Sequence, residues 1–380
     1  MLYKNYDLAP TKAYIDLDNL IYNYNQIKQQ VSPCAVMTVV KADAYGHGAL
    51  PVASRLMDEG SEFFAVARLA EAIELIQNGI DQKILIFGRL FEHEIEKAIK
   101  NNIRITLTCE KDIELISQKA HKLNKDAYLH INVDTGMGRV GLLSDEAVEI
   151  ILKALDTPGI RVEGLYSHFS TSDIKDKTYA QKQLNKFLNI LSILEEKDIN
   201  MPYIHMANGG AMLDIPASYE DKFNMVRAGI ILYGYYPSLE TSASIPLKQV
   251  MTVSTRVLEL REMPADYSIS YGRRYTTPKK MTVAVLPIGY ADGIHRSFTN
   301  NVEVMINSQL YPIIGTVTMD QIMVAVDENV SEGDEVIFWG ESEQGILKAS
   351  QVAAQAGTIS YELTCSVSKR VPKIYNRKVL

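Results

Sequence analysis

The sequence predicts an α/β protein in which a (β/α)8 barrel is followed by a smaller, mostly antiparallel β-domain. Between Val36 and Tyr233, short apolar runs rich in β-branched residues alternate with stretches of helical periodicity, which makes eight strand–helix units. Eight such units are typical of a closed parallel barrel. Beyond Tyr236, glycine, proline and Asp or Asn turns separate the apolar runs, which is an antiparallel pattern. The length of 380 residues is also more than one domain usually needs.

The elements of the barrel half follow from these periodicities in chain order. Ala13–Leu17 is predicted to be a short strand, and we expect Asp18 to cap the helix that follows it. The predicted barrel strands are Val36–Val40, Phe63–Ala67, Ile84–Gly88, Ile103–Thr108, Tyr128–Val133, Val162–His168, Tyr203–Asn208 and Met225–Ile230. The predicted helices include Ala49–Met57, Glu71–Gln77, Glu94–Ile99, Asp112–Leu123, Asp145–Leu155 and Tyr179–Glu195.

A polar, turn-prone stretch from Ser238 to Pro246 is the predicted linker to the β-domain. One short helix is expected there, at Ala349–Ala356, among strands predicted at Val250–Leu258, Met281–Leu286, Val302–Ile306, Gln309–Ile314, Met323–Val326 and Glu335–Phe338. The predicted organisation is an N-terminal segment, 1–12, that packs with the β-domain, then a barrel at 13–240 and the β-domain at 241–380.

The composition argues against several classes of protein. A net charge of −7 without a basic stripe disfavours a nucleic-acid partner. Cys34, Cys109 and Cys365 lie far apart, and their spacing fits neither a disulfide framework nor a Cys-x-x-Cys metal site. No apolar run approaches about 18 residues, and the N-terminus has no apolar signal segment. We therefore expect a cytoplasmic protein with no metal and no membrane partner.

The run Val36–Val40 ends on Lys41, which is followed by Tyr45, Gly46 and Gly48. A lysine at the carboxyl end of a buried strand loses its proton easily once water is excluded, and its amine can then form a Schiff base with an aldehyde. The glycines allow the main chain to approach a ligand, and the tyrosine offers a hydroxyl to an anion. The alternative is a lysine that extends from a strand end toward solvent, with no chemical role.

Other strand ends of the predicted barrel bring further polar residues to the same rim. They are found in the segments Asp134–Arg139, Ser167–Ser170, His205–Gly210 and Arg227–Ile230. Taken singly, His168 could be a structural hydrogen-bonding residue and Arg227 half of an ion pair. Together with Lys41 they indicate a site for an anionic ligand that carries an aldehyde. Pyridoxal phosphate meets both requirements.

Nine segments of the chain, from the first barrel strand to the β-domain, resemble motifs of the alanine racemase family. In order they are VVKADAYGHG, VDTGMGRVG, GLYSHFST, ANGGA, MVRAGI, LYG, ISYGRRY, VLPIGYADG and GTVTMDQ. The resemblance covers essentially the whole chain. It implies a homodimer that uses pyridoxal phosphate to interconvert L-alanine and D-alanine, which supplies peptidoglycan synthesis.

The resemblance also implies roles for individual residues. Lys41 would hold the cofactor and act as one base, and Tyr271 from the partner's β-domain would be the opposite base. Arg227 would face the pyridine nitrogen, and Arg139 the phenolic oxygen of the cofactor and the substrate carboxylate. His168 and Arg139 are expected to make the hydroxyl of Tyr271 more acidic by their positive charge. The remaining implied residues are Tyr45, Asn208, Gly209, Gly229, Ile230 and Lys369 for the cofactor, and Met319, Tyr290 and Asp320 for the substrate and its entrance.

Three positions depart from the pattern of the family. Asn132 stands where many members have a lysine that positions Arg139, so a hydrogen bond or a bound anion is expected there instead. Gly209 replaces a phosphate-binding serine, and Lys369 is interpreted as the replacement of a tyrosine near the phosphate. We expect Lys369 to bind the phosphate as a mobile point charge and to widen the entrance.

Other functions stay open at this point. A racemase of the same architecture that acts on serine, or on a wider range of amino acids, would fit Gly209 and Lys369. A related barrel decarboxylase is disfavoured because the chain has no late Cys-Glu-Ser motif and no triple-glycine phosphate loop. A non-catalytic protein that binds pyridoxal phosphate would be a barrel alone, so the β-domain with Tyr271 argues against it.

Overall fold

The computed structural model describes residues 8–375 of the chain. The strands of its first half are β1 (Lys12–Ile15), β2 (Ala35–Val39), β3 (Phe63–Val66), β4 (Lys83–Ile86), β5 (Arg104–Leu107), β6 (Ala127–Asp134), β7 (Leu142–Leu143), β8 (Ile160–Tyr166), β9 (Tyr203–His205) and β10 (Met225–Ala228). Eight of them pair in parallel in the order β5-β4-β3-β2-β10-β9-β8-β6, and the pairing of β5 with β6 closes the ring. The predicted barrel is therefore confirmed.

The helices around the barrel bury one apolar face each. They are α1 (Leu17–Val31), α2 (Ala49–Asp58), α3 (Leu69–Gln77), α4 (Glu92–Lys100), α5 (Asp112–Leu123), α6 (Ala147–Asp156), α7 (Thr178–Glu195) and α8 (Gly209–Asp214). The eighth strand is followed by a 3-10 turn, Ile230–Tyr233, and α1 packs against this turn. Helix α1 precedes the first barrel strand in the chain, and its contact with this turn places it in the outer ring beside the eighth strand. Within residues 8–375, no helix has both the length and the apolar character needed to cross a membrane.

The second unit is a mostly antiparallel β-domain, as predicted. Its strands are β11 (Met251–Arg256), β12 (Glu259–Met263), β13 (Ser268–Ile269), β14 (Tyr275–Thr276), β15 (Met281–Leu286), β16 (Glu303–Ile306), β17 (Gln309–Ile314), β18 (Ile322–Val326), β19 (Glu335–Ser342), β20 (Gly345–Leu347) and β21 (Lys373–Tyr375). Its helices are α9 (Ala349–Gln355) and α10 (Ser360–Ser366). The main sheet has the order β12-β15-β18-β17-β16-β19-β11-β1-β21. Trp339, Phe338 and Phe298 are fully buried in this unit.

The strand β1 belongs to the sheet of the β-domain, although it lies before the barrel in the chain. Ala13 pairs with Val253 of β11 on one side and with Lys373 of β21 on the other. The hydroxyl of Thr11 also lies 2.9 Å from that of Thr255. Residues 8–15 thus pack with the β-domain. The predicted boundary at residue 13 assigns β1 to the barrel, whereas the structure pairs β1 with strands of the β-domain. Periodicity along the chain does not show which sheet a short strand joins. The rest of the predicted N-terminal segment, 1–7, lies outside the described residues.

Some elements were not predicted, for reasons of exposure and composition. The strand β12 is an edge strand with mostly exposed residues, so its apolar alternation is weak. Helix α10 has seven residues, like α9, but its buried face contains the polar residues Ser360 and Thr364, so it shows no apolar period. The cap of α1 is also Asp16 and not Asp18: its Oδ1 accepts hydrogen bonds from the main-chain N–H groups of Asp18 (2.9 Å) and Asn19 (2.8 Å). The helix begins at Leu17, one residue after this cap.

Replacing the observed cap of α1 should destabilise the protein more than replacing the expected one. We expect Asp16→Ala to lower the free energy of unfolding by about 1 kcal/mol, because two N–H groups lose their acceptor. Asp18→Ala is the matched control and should cost less than about 0.5 kcal/mol, because Asp18 is exposed. Urea unfolding of the three proteins measures both changes. Equal losses in the two variants would contradict the assignment of Asp16 as the cap.

Candidate active site

The chain makes a left-handed turn directly after the first barrel strand. Lys41 begins this turn, and residues 42–45 all have φ values between 53° and 54°. L-amino acids disfavour this conformation by about 1–2 kcal/mol each. Four such residues in a row are therefore stable only because surrounding groups hold them.

Hydrogen bonds with two residues, Glu71 and His47, hold the left-handed turn. The carboxylate of Glu71 accepts a hydrogen bond from the main-chain N–H of Ala42 at 2.6 Å. The Nδ1 atom of His47 lies 3.0 Å from the carbonyl oxygens of both Ala44 and Tyr45. Burial lowers the pKa of His47 to about 4, so the ring is neutral and Nδ1 donates its hydrogen to these oxygens. These contacts fix the directions of the Lys41 and Tyr45 side chains, which lie at the two ends of the turn.

A cavity of about 530 Å³ opens at the carboxyl ends of the barrel strands, and Lys41 and Tyr45 line it. Most of the residues that the sequence proposed for the barrel part of the site meet here. They are Lys41, Tyr45, Asn132, Arg139, His168, Asn208, Gly209, Arg227, Gly229 and Ile230. These residues share one cavity because parallel strands place their carboxyl ends on one rim.

The amine of Lys41 is half-buried in this cavity, and its pKa is lowered. Burial is the largest cause, because the ammonium form loses its hydration, and the positive charge of Arg139 is the next. Glu71 opposes the shift but does not cancel it. The neutral, nucleophilic amine is therefore more accessible at physiological pH than in an exposed lysine.

Arg227 is a buried cation at the floor of the cavity, with only 3% of its surface exposed. One guanidinium nitrogen lies 2.8 Å from Nδ1 of His205 and 3.1 Å from its carbonyl oxygen. The other donates to the carbonyl oxygens of Ser167 (2.8 Å) and Met206 (3.0 Å) and lies 3.1 Å from Nδ1 of His168. Burial lowers its pKa to about 10, so it stays protonated at neutral pH. These partners are carbonyls and imidazoles, so the ion-pair alternative does not describe this arginine.

His168 lines the cavity but does not have the positive charge that the sequence argument assigned to it. Its pKa lies well below the ordinary value, because the ring is buried and also faces Arg227 and Arg139. At physiological pH the ring is neutral. The expectation that it acidifies a tyrosine by its charge is therefore wrong, since a histidine beside two arginines in a dry pocket loses its proton. Arg139 is exposed on the rim of the cavity.

The end of the cavity at the Tyr45 hydroxyl is built from glycines and small polar groups. A Cβ added at Gly229 would lie 2.8 Å from the hydroxyl of Tyr45, and one at Gly209 would lie 3.1 Å from Ile231. The side-chain oxygen of Asn208 accepts hydrogen bonds from the Ser172 hydroxyl (2.7 Å) and from a main-chain N–H of α8. This cradle leaves the main chain and one phenol hydroxyl accessible to an anionic group.

Lys369 is exposed and does not line this cavity, whereas Tyr361 does. The ring of Tyr361 lies 6.1 Å from that of Tyr45, at the glycine end. The structure therefore corrects the expectation for Lys369: the aromatic residue near the cradle is Tyr361, from α10. The sequence does not indicate Tyr361 as a residue of the cavity, because α10 belongs to the β-domain in the chain and only folding brings it to the barrel.

Tyr271, Tyr290, Met319 and Asp320 lie on the β-domain, away from the cavity that contains Lys41. Tyr271 is 75% exposed and lines a separate cavity of about 440 Å³. Its turn is held firmly, since the Thr316 hydroxyl donates to the Tyr271 carbonyl at 2.7 Å. Met319 and Tyr290 are also exposed, and Asp320 forms an ion pair with Arg370 at 2.8 Å. One chain alone does not bring Tyr271 to Lys41.

The donor set at the barrel mouth fits pyridoxal phosphate. The amine of Lys41 suits its aldehyde, the hydroxyl of Tyr45 and the glycine cradle suit its phosphate, and Arg227 is a cationic donor for its ring nitrogen. A barrel with this mouth and an appended β-domain defines a pyridoxal-phosphate enzyme of the barrel type. Residues 15–237 match the family model described as alanine racemase, N-terminal domain, and residues 250–375 match alanine racemase, C-terminal domain. The chain belongs to the alanine racemase family of pyridoxal-phosphate-dependent isomerases.

Similar proteins cover nearly the whole chain. A relative from Clostridium tetani (strain Massachusetts / E88), named alanine racemase, is 44% identical over 375 residues, which is 97% of this chain and 96% of the relative. The structure of alanine racemase from Clostridium difficile 630 has 39% identity and a TM-score of 0.89, and the match covers 97% of this chain and 96% of that one. A further structure of that protein is a complex with cycloserine. The structure from Bartonella henselae contains covalently bound pyridoxal phosphate, with 29% identity, a TM-score of 0.87 and 97% and 100% of the two chains covered.

Removing the charge of Arg139 should raise the pKa of Lys41. Arg139 lowers that pKa by repulsion between two cations, so Arg139→Gln should move the pH dependence of lysine labelling to higher pH. The rate at which a small acylating reagent labels Lys41 in the cofactor-free protein, read by peptide mass spectrometry across pH, measures the shift. Arg161→Gln, which removes an arginine paired with Asp126 far from the cavity, is the control. A midpoint that is unchanged or lower in Arg139→Gln would contradict the proposed repulsion.

Proposed function

We propose that the protein interconverts L-alanine and D-alanine, with Lys41 and Tyr271 as two bases on opposite sides of the substrate. The observation that supports this most directly is the partly desolvated amine of Lys41, whose pKa is lowered beside Arg139 in a cavity that also contains Arg227. The cycloserine complex of the Clostridium difficile relative supports a small amino acid as the substrate.

Pyridoxal phosphate, when bound, supplies an aldehyde for covalent attachment and a ring that delocalises the negative charge left when an α-proton is removed. The residues of this chain then have three tasks. Tyr45 and the Gly229 cradle would bind the phosphate, and Lys41 would hold the aldehyde carbon. Arg227 keeps its proton, so it would donate a hydrogen bond to the ring nitrogen and leave that nitrogen unprotonated. The ring would then be a weaker electron sink, which would favour return of the proton over side reactions.

Racemisation needs a proton to leave one face of the α-carbon and another to arrive on the opposite face. The Nζ atom of Lys41 would move the proton on one face. The hydroxyl of Tyr271 would move it on the other face, while Arg139 and the main chain at Met319 orient the substrate carboxylate. Tyr290 and Asp320 would line the entrance to this site. These roles come from family membership and from the positions of the residues.

A homodimer with two composite sites follows from this assignment. Tyr271 is exposed on the β-domain and lies outside the cavity of Lys41 in its own chain. A two-fold dimer that places the β-domain of one subunit over the barrel mouth of the other would complete both sites at once. The exposed Met319 and Tyr290 on the same domain fit such a buried interface.

We further propose a cytoplasmic enzyme that supplies D-alanine for peptidoglycan. The three cysteines Cys34, Cys109 and Cys365 are free thiols, which fits a reducing compartment. A racemase for serine, or for a wider range of amino acids, remains the second candidate because Gly209 lacks the hydroxyl that many members have at this position. Activity measured on a panel of amino acids separates the two.

The two bases should be separable by enantiomer. By analogy with the family, Lys41 acts on D-alanine and Tyr271 on L-alanine. Tyr271→Phe should therefore keep measurable exchange of the D-alanine α-proton with deuterated water and lose exchange of the L-form by at least about 100-fold, the usual contribution of a general base. Nuclear magnetic resonance follows both exchanges. Tyr267→Phe, a neighbouring exposed tyrosine, is the control. Equal loss on the two enantiomers would argue against the two-base assignment.

Mixed dimers should recover activity if the sites are composite. Lys41→Ala and Tyr271→Phe are each expected to be inactive as homodimers. After subunit exchange, half of the dimers contain one intact site of two, so the mixture should reach roughly a quarter of wild-type activity. Differently tagged subunits confirm that exchange took place. If exchange occurs and no activity returns, both residues act within one subunit.

A further inference from the structure

The C-terminal strand β21 reaches across the molecule to the left-handed turn that begins at Lys41. The ammonium of Lys373 lies 2.7 Å from Oδ2 of Asp43, the middle residue of the turn. The hydroxyl of Tyr375 donates to the carbonyl oxygen of His47 at 3.2 Å. Two side chains of one short strand therefore contact the segment that positions the active-site lysine.

The strand β21 and the segment after the left-handed turn approach each other closely at this contact. A Cβ at Gly48 would lie 1.9 Å from the hydroxyl of Tyr375, so only glycine leaves room for this ring. The second oxygen of Asp43 accepts a hydrogen bond from the main-chain N–H of Ala49 at 2.7 Å, where α2 begins. Asp43 thus joins three elements: the left-handed turn, the helix that follows it and the C-terminal strand.

The strand β21 can resist movement because the sheet anchors it. Its residues pair in parallel with β1, Ala13 with Lys373 and Ile15 with Tyr375, and β1 pairs with β11. The contact between Lys373 and Asp43 therefore connects the left-handed turn to the sheet of the β-domain. The ion pair of Lys373 is also more sheltered than a surface pair, since the lysine side chain is 19% exposed, although Asp43 is 56% exposed.

We propose that Lys373 and Tyr375 form a C-terminal clamp, a pair of positioning residues that keeps the turn at Lys41 left-handed and its amine directed at the cofactor. This rests on the proposed role of Lys41 as the residue that holds pyridoxal phosphate. The clamp does not touch the cavity: neither residue lines it. Its effect is on how long the cofactor stays attached, because a relaxed turn moves Nζ away from the aldehyde carbon.

The test measures cofactor release from the holoenzyme. Excess hydroxylamine removes lysine-bound pyridoxal phosphate, and visible absorbance follows its loss. We expect release about two- to fivefold faster in Lys373→Met and in Tyr375→Phe, the scale of one partly exposed polar contact. Lys373→Arg keeps the charge and should restore the parent rate. Lys153→Met, which removes an ion pair with Glu110 on the outer ring, should leave release unchanged.

Two readouts separate positioning from general stability. The unfolding temperature of Lys373→Met should stay within about 2 °C of the parent, as for other partly exposed ion pairs. Parent-like release in both variants would overturn the clamp. The clamp would also be overturned if Lys153→Met and Lys373→Met lost the same thermal stability and both released the cofactor faster than the parent.

A borohydride experiment on the parent protein distinguishes this inference from the proposed function. Reduction should fix the cofactor to the peptide that contains Lys41. If the label lies elsewhere, the proposed role of Lys41 fails, and the clamp fails with it. If Lys41 is labelled but the clamp variants release cofactor like the parent, only the inference about Lys373 and Tyr375 fails.

Discussion

The left-handed turn after the first barrel strand is the constraint on which the rest of the site depends. Its backbone is unfavourable for ordinary residues, so it exists only while other elements support it. Glu71 supports it from the barrel, and α10 packs against Gly46, where a Cβ would lie 2.0 Å from the carbonyl oxygen of Thr364. Barrel and β-domain must therefore be correctly placed before Lys41 points into the cavity. Because both units support the strained turn, the direction of the Lys41 amine depends on how the two units are arranged.

The second feature on which the site depends is an excess of positive charge in a region shielded from water. Arg227 is buried among carbonyls and imidazoles, and Arg139 stands on the rim. Burial is the main cause that lowers the pKa values of Lys41 and His168, and the two positive charges lower both pKa values further. The same field attracts a phosphate and a carboxylate. One arrangement thus makes the lysine nucleophilic and prepares the cavity for an anionic cofactor and substrate.

Local patterns predicted the regular parts of the fold closely. The bounds of Asp112–Leu123, Met281–Leu286 and Gln309–Ile314 agree with the structure, because the helix has a clear helical period and turn residues bound the two strands. The errors fall where a residue's partner is distant or an element shows a weak apolar period. Helix α10 and Tyr361 are examples, and so is Asp16, since the choice between two aspartates depends on where the first helical turn begins.

The sequence by itself determined that a lysine ends a buried strand beside glycines, and that eight strand–helix units surround it. These are properties of neighbours along the chain. Only the tertiary structure decided that His168 is neutral, that Arg227 has no carboxylate partner among the groups described around it, and that Tyr361 lines the cavity while Lys369 does not. Each of these depends on burial and on contacts between residues far apart in sequence. Charge state and proximity are set by surroundings that no local pattern contains.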